Sequence, residues 1–256
     1  MPVPLATKPA TGSTINTGHS LASGLVRCIL FNEGSGSPKE LVGAGAGTLN
    51  GGAAWATDTN LGGTSMDSGS SGTDAVNWGT GGLSYGNGNC TFFIGARIPV
   101  NAAKEHTAIE TGGVAVDRIF CGVQNNGLFK LTVADVAHIQ STFTPTAGDV
   151  YTLGVGYTRA TSARFHIKNQ TTDVTQSETI NDTSVPLTGT TISTTNNRHD
   201  LGTPSGGNWD ERIAFIYVWN RVLSDAEFAS LHSNPYQFIT PPGSSLMFPR
   251  WGSVRR

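Results

Sequence analysis

The residues best equipped for chemistry are few and scattered. Six histidines are present, His19, His106, His138, His166, His199 and His232, with no HxH and no HExxH spacing. No two of them therefore share a face in the way a histidine metal site needs. His199-Asp200 offers half of a metal site or of an acid–base pair, and reads more simply as a loop pair. Glycoside hydrolysis would use two carboxylates about 5–9 Å apart across the scissile bond. The spacing E-x-D-x-x-E that would place them on one strand is absent. The nearest acidic cluster, Asp210-Glu211, would point its side chains to opposite faces of a strand. Glycine runs such as Gly43-Ala44-Gly45-Ala46-Gly47 lack the Lys-Ser/Thr that completes a phosphate cradle. No catalytic residue, metal ligand or cofactor is expected, and the chain reads as a non-enzyme.

Binding chemistry is better represented. A flat aromatic beside amides and carboxylates suits a sugar, whose ring face is apolar and whose rim needs hydrogen bonds. Trp55, Trp78 and Trp209 are the tryptophans set among polar residues. Asn208-Trp209-Asp210 is the candidate glycan contact. The competing reading has Trp55 and Trp209 plugging the edge of a sandwich. Three cysteines, Cys28, Cys90 and Cys121, show no CxxC spacing and are expected as buried free thiols.

These residues need elements to hold them. The strand signals recur every 8–12 residues between Gly and Pro turns, the rhythm of a two-sheet sandwich. Strands are expected at Leu25–Phe31, Cys90–Val100, His106–Glu110, Arg118–Val123, Leu128–Val133, Val136–Phe143, Val150–Tyr157, Ala163–Lys168, Thr190–Thr194, Arg198–Leu201 and Arg212–Trp219. Asn126-Gly127 marks a hairpin. In Arg212–Trp219, alternation puts Ile213, Phe215, Tyr217 and Trp219 on one face and Ala214, Ile216 and Val218 on the other. Both faces are apolar, so this strand should be central and covered on both sides. From Gly43 to Asn89 short strands and long loops are expected. Ser224-Asp225-Ala226-Glu227 is a capping box that opens one short helix, Asp225 to Ser233, closed by Asn234-Pro235.

Charge narrows the field further. Only 13% of the 256 residues are charged, against about 25% in an average soluble domain. No apolar run approaches the ~20 residues of a membrane helix, so membrane insertion is not expected. The 16 basic residues include Arg250, Arg255 and Arg256, leaving 16 − 3 = 13 against 18 acids before them, a net of −5 with a +3 tail. A basic patch elsewhere is lacking, which argues against nucleic acid. The start, Met1-Pro2-Val3-Pro4-Leu5, lacks the basic and apolar regions of a signal peptide, so cytoplasmic synthesis is expected.

Three stretches carry a family likeness. They are Glu33-Gly34-Ser35-Gly36 after a strand ending in Phe31, the run from Gly47 to Trp55, and Val218-Trp219-Asn220-Arg221-Val222-Leu223-Ser224-Asp225-Ala226-Glu227. Together they resemble laminin-G-like, concanavalin-A-type jelly-roll domains over Leu25 to Asn234, 234 − 25 + 1 = 210 residues. Asn234-Pro235-Tyr236-Gln237-Phe238 with its Pro/Arg tail is similar to laminin-G-like proteins of tailed bacteriophages. The resemblance implies an all-β, two-sheet antiparallel jelly roll over residues 23–234, with an extended arm (1–22) and tail (235–256). Family members bind sugars, proteins or calcium. Ala214 stands where the last strand usually carries an acid, so a family-type calcium site is not expected.

The resemblance implies a virion structural protein, a capsid decoration or head-fibre protein bound through its arms to other capsid or fibre subunits. A homo-oligomer, a trimer for instance, would fit. The tail residues Phe248, Arg250, Trp251, Arg255 and Arg256 would be its assembly contacts. The alternative is a host-glycan-binding module of a tail fibre, with Asn208, Trp209 and Asp210 as its site.

Overall fold

The computed structural model describes residues 4–42, 45–67, 75–77, 89–99, 106–111, 119–124, 126–133, 137–159, 161–181, 199–201, 209 and 211–243. The strands are β1 (Thr14–Ile15), β2 (Leu25–Ile29), β3 (Thr48–Asn50), β4 (Ala54–Asp58), β5 (Gly63–Asp67), β6 (Ala75–Asn77), β7 (Cys90–Arg97), β8 (His106–Thr111), β9 (Ile119–Val123), β10 (Phe129–Val133), β11 (Ala137–Gln140), β12 (Val150–Thr158), β13 (Ser162–Asn169), β14 (Val174–Asn181), β15 (His199–Leu201), β16 (Arg212–Trp219) and β17 (Ile239–Thr240). Helix α1 spans Asp225–Ser233. Its capping box is present, with Ser224 Oγ accepting from Glu227 N and the Glu227 carboxylate accepting from Ser224 N.

Two antiparallel sheets stack as a jelly-roll sandwich. The seven-stranded sheet runs β11-β10-β9-β8-β15-β6-β3. The eight-stranded sheet runs β14-β13-β12-β7-β16-β5-β4, with β2 also pairing β16. One core fills the space between them, including Phe92, Ile94, Val155 and Phe165 from the larger sheet and Cys121, Phe129, Leu131 and Ile139 from the smaller. The expected strand Thr190–Thr194 lies outside the described residues.

A second core covers the outer face of the larger sheet. Phe93, Phe215, Tyr217 and Trp219 rise from the sheet, and Leu5, Leu21, Phe228, Leu231, Tyr236 and Phe238 close over them. Close approach requires glycine beneath. A Cβ on Gly95 would sit 2.3 Å from the Phe215 ring, and one on Gly154 would sit 2.5 Å from the Phe228 ring.

β16 is central and buried on both faces, but strict alternation fails at its start. The register against β7 shifts between Ile213 and Phe215. This bulge turns Ile213 into the inter-sheet core beside Ile216 and Val218, while Ala214 joins Phe215, Tyr217 and Trp219 outside. An extra residue in one strand reverses the faces of everything before it.

The described parts of arm and tail lie on their own sandwich. Leu5 and Leu21 are buried, Leu5 N donates to Asn60 O at 3.0 Å, and Asn32 Nδ2 donates to Pro9 O at 2.7 Å. Lys8 Nζ donates to the carbonyls of Phe31 and Thr64. β1 pairs with β17, so the arm and the first tail residues form a small ribbon over the outer face.

Candidate functional site

A groove of about 400 Å³ opens where the edges of the two sheets meet, lined by Thr142, Phe143, Ile167, Gln176, Ser177 and Glu178. Strand β14 supplies one wall. It pairs with β13 without a bulge from Ser162↔Asn181 to Asn169↔Val174. The segment after β11 supplies the other wall. Glu178 ties the walls together, its Oε1 accepting from Thr142 N at 2.8 Å and its Oε2 from Thr142 Oγ1 at 2.7 Å. A carboxylate gripped by two donors holds a fixed orientation.

The Phe143 ring is half-buried and locked from behind. It stacks on Phe129 at 6.2 Å and leans on Tyr151 at 6.0 Å. Tyr151 is fixed in turn, its hydroxyl accepting from Thr146 N at 3.0 Å and Asn169 Nδ2 at 2.9 Å. Buried Ser141 donates through Oγ to Phe143 O at 3.1 Å, which pins the segment's backbone. The groove thus has a rigid apolar patch inside a rim of hydroxyl, amide and carboxylate groups. It holds one carboxylate, half of the pair that hydrolysis of a glycosidic bond commonly uses.

Trp209 is placed elsewhere, and not as a stacking platform. It is 1% exposed, belongs to the inter-sheet core, and donates from Nε1 to Arg97 O at 2.8 Å. Covered in this way, the ring has no open face for a sugar. Asn208 and Asp210 lie outside the described residues, as do Trp78 and the tail residues Phe248, Arg250, Trp251, Arg255 and Arg256. Trp55 is half-buried on β4, with Nε1 donating to Gly36 O at 2.8 Å.

Beside Trp209 the charges are structural. Asp58 accepts from Arg97 Nε at 3.0 Å and from Arg97 Nη2 at 2.5 Å, while Arg97 Nη1 donates to Gly148 O. Burial would raise the Asp58 carboxyl, but its bonds to Arg97 outweigh that and hold it below its ordinary range. Glu211 is pushed up by burial. Under helix α1, His232 Nδ1 and Thr152 Oγ1 are 2.7 Å apart, and burial drives His232 down to about 3. His166 stacks on Phe228 at 4.1 Å, with Nε2 3.3 Å from Asp225 Oδ1 but not aligned for a hydrogen bond. All three cysteines are buried and free. Among the described residues no group of three metal-ligating side chains assembles.

The groove was missed in the sequence because β14 reads VTQSETIN, with no apolar alternation. The available signal was its place after the strong hairpin strand β13, a length of chain fit for one more antiparallel partner.

No family model and no curated protein matches the chain. Solved structures do. The receptor binding domain of the botulinum neurotoxin C/D mosaic serotype is similar over 82% of this chain and 51% of its own, with TM-score 0.57 and 11% identity. Domain 4 of AbnA, an extracellular arabinanase from Geobacillus stearothermophilus, in complex with arabinotriose, is similar over 81% and 98%, with TM-score 0.52 and 13% identity. The enzymatically active domain of bacteriophage CBA120 tailspike protein 2 is similar over 76% and 31%, with TM-score 0.51 and 12% identity. The chain spans about half of the neurotoxin domain and under a third of the tailspike chain. At these identities the likeness is one of fold.

Proposed function

We propose that this chain is a non-catalytic glycan-binding module carried on a phage particle, and that the groove between β14 and the segment after β11 is its site. The groove's chemistry carries the reading. The locked Phe143 ring offers a face for the C–H side of a sugar, and Thr142, Gln176, Ser177 and Glu178 offer hydrogen bonds to its hydroxyls. A rigid aromatic costs little entropy to engage. The single carboxylate favours binding over cleavage. Support also comes from the likeness to an arabinotriose-bound domain and to a phage tailspike domain, and from the phage-like Asn234-Pro235-Tyr236-Gln237-Phe238 sequence.

A glycan array with the full chain tests this, followed by titration of any hit against Phe143→Ala and Gln176→Ala. The reading expects at least about a tenfold loss in each, on the order of 1.4 kcal/mol. Gln176 is exposed on the edge strand, so its variant reports on binding without a folding defect. No array signal, or hits indifferent to both variants, would remove the reading.

The same module would serve on a tail fibre or as a capsid decoration or head-fibre protein. Residues 4–22 spend their buried side chains on their own sandwich, so attachment to other virion subunits would fall to the tail contacts Phe248, Arg250, Trp251, Arg255 and Arg256. Removing residues 244–256 should then abolish incorporation into particles; unchanged incorporation would sink attachment through the tail.

A further inference from the structure

The described sheets end on four edge strands, and one of them differs from the rest. β3, β4 and β11 are three, five and four residues long, while β14 is eight. Short edge strands are one of the devices by which proteins keep sheets from pairing with other chains; lysine, proline and bulges are others. β14 has none of them. Its register with β13 is continuous, its sequence VTQSETIN contains no lysine or proline, and its one charge, Glu178, is turned back onto Thr142. Val174, 48% exposed, opens the strand. Half of its backbone N–H and C=O groups face away from β13, as in any strand paired on one side.

We propose that β14 pairs antiparallel with β14 of a second copy of this chain, joining the two larger sheets across a two-fold axis. The register argues for a copy of itself. Centred on Ser177, the two-fold sets Ser177 opposite Ser177 of the second copy, Gln176 opposite Glu178, Thr175 opposite Thr179 and Val174 opposite Ile180. No like charges face each other, and the Gln176 amide meets the Glu178 carboxylate of the other copy on either side of the dyad. Opposed residues share a face and the dyad stands normal to the sheet, so the two Glu178 side chains leave the seam on the same side, each opposite Gln176 of the other copy. The contact is isologous, so it closes as a dimer rather than growing into a fibre. It also brings Gln176 of the second copy beside Glu178, at the mouth of the groove, so each groove borders the dyad.

Sedimentation of the full chain over a range of concentrations reads the pairing, with a limiting mass of twice 26.7 kDa expected. Two charge variants test the register. Thr175→Lys/Thr179→Lys and Thr175→Glu/Thr179→Glu each set like charges opposite one another in the seam, and each should dimerise about tenfold more weakly than the unaltered chain. Mixing the two sets lysine opposite glutamate in those pairs and should restore a dimer. A chain that stays monomeric at every concentration, variants that dimerise as the unaltered chain does, or a mixture that fails to pair would each overturn the proposal. The result is independent of any glycan, because a dimer with no glycan signal leaves this pairing standing and removes only the binding reading.

Discussion

β16 and β14 are both eight residues long and belong to the same sheet, yet they are built on opposite terms. β16 has partners on both sides, β7 on one and β2 with β5 on the other, and Ile213 to Trp219 are buried without exception. Among the described residues β14 has one partner, and only Glu178 and Ile180 of its residues are even half-buried. The first is held by apolar burial on two faces. The second is held by its ladder to β13 and by two hydrogen bonds to Thr142. A strand that contributes little to the core is free to carry polar groups outward, and that is where the groove lies.

The largest contrast should come from truncation. Trp219 is fully buried, meets Tyr217 and Phe238 edge-on, and donates from Nε1 to Leu21 O at 2.7 Å. Trp219→Ala should cost about 3–5 kcal/mol and leave that carbonyl unpaired. Denaturant unfolding of this variant beside Thr175→Ala on β14 checks the comparison, since Thr175 is exposed and its loss should stay within about 0.5 kcal/mol. Equal costs would break it.

Acid should strip the cover from the β16 face next. His232 has an ordinary value of 6.5 and is held near 3 by burial and by the charges of His166 and Lys168. Above pH 6.5 it is neutral whether folded or not. Below that the unfolded chain takes up a proton that the folded chain refuses, so stability falls as pH drops, by about 1.4 kcal/mol per pH unit. His166 is lowered by burial and acts in the same direction. Glu40 opposes them. Burial raises it to about 7 despite Arg27, so its folded form keeps a proton between 4.5 and 7 and gains stability as pH falls through that window. Glu227, held near 2 chiefly by its bonds to Arg221, gives up stability below 4.5. The steep loss should therefore lie below pH 4.5, and His232→Gln should flatten it. A profile equally steep from pH 6.5 would show that Glu40 does not compensate.

Gly95→Ala is the third. The new methyl would meet the Phe215 ring 2.3 Å away, so the ring must shift within the outer core. Overpacking of this kind costs about 1–3 kcal/mol. Thermal unfolding reads it, and a neutral result would mean that the aromatic layer over β16 is looser than its contacts imply.

The same contrast explains what could be read from the sequence. β7, β12 and β16 announce themselves because their apolar residues are dictated by two cores, and β13 because Ala163, Phe165 and Ile167 alternate into one of them. Helix α1 is legible because Ser224 and Glu227 satisfy its first amides. The bulge at Ala214 was illegible, since alternation carries no mark of an extra residue in the register. β14 was illegible because only Ile180 of its apolar residues packs on a core, and the groove disappeared with it. Trp209 left two readings open. Its polar neighbours in sequence suggested an exposed ring, while its own indole found the Arg97 carbonyl inside the sandwich.

Glu178→Gln should have the smallest effect on stability and is the most informative for the groove. The amide can still accept from one Thr142 donor, through its single carbonyl oxygen, and loses the second bond. Exposed contacts of this kind are worth about 0–1 kcal/mol, so the unfolding midpoint should barely move. If the groove binds sugar hydroxyls through this carboxylate, affinity should fall well beyond that, because charged acceptors make hydrogen bonds roughly twice as strong as neutral ones. Unfolding and titration measured on the one variant separate the roles. A large stability loss would make Glu178 a structural strap like those around β16. A loss confined to binding would leave β14 as the strand whose residues are chosen by a ligand.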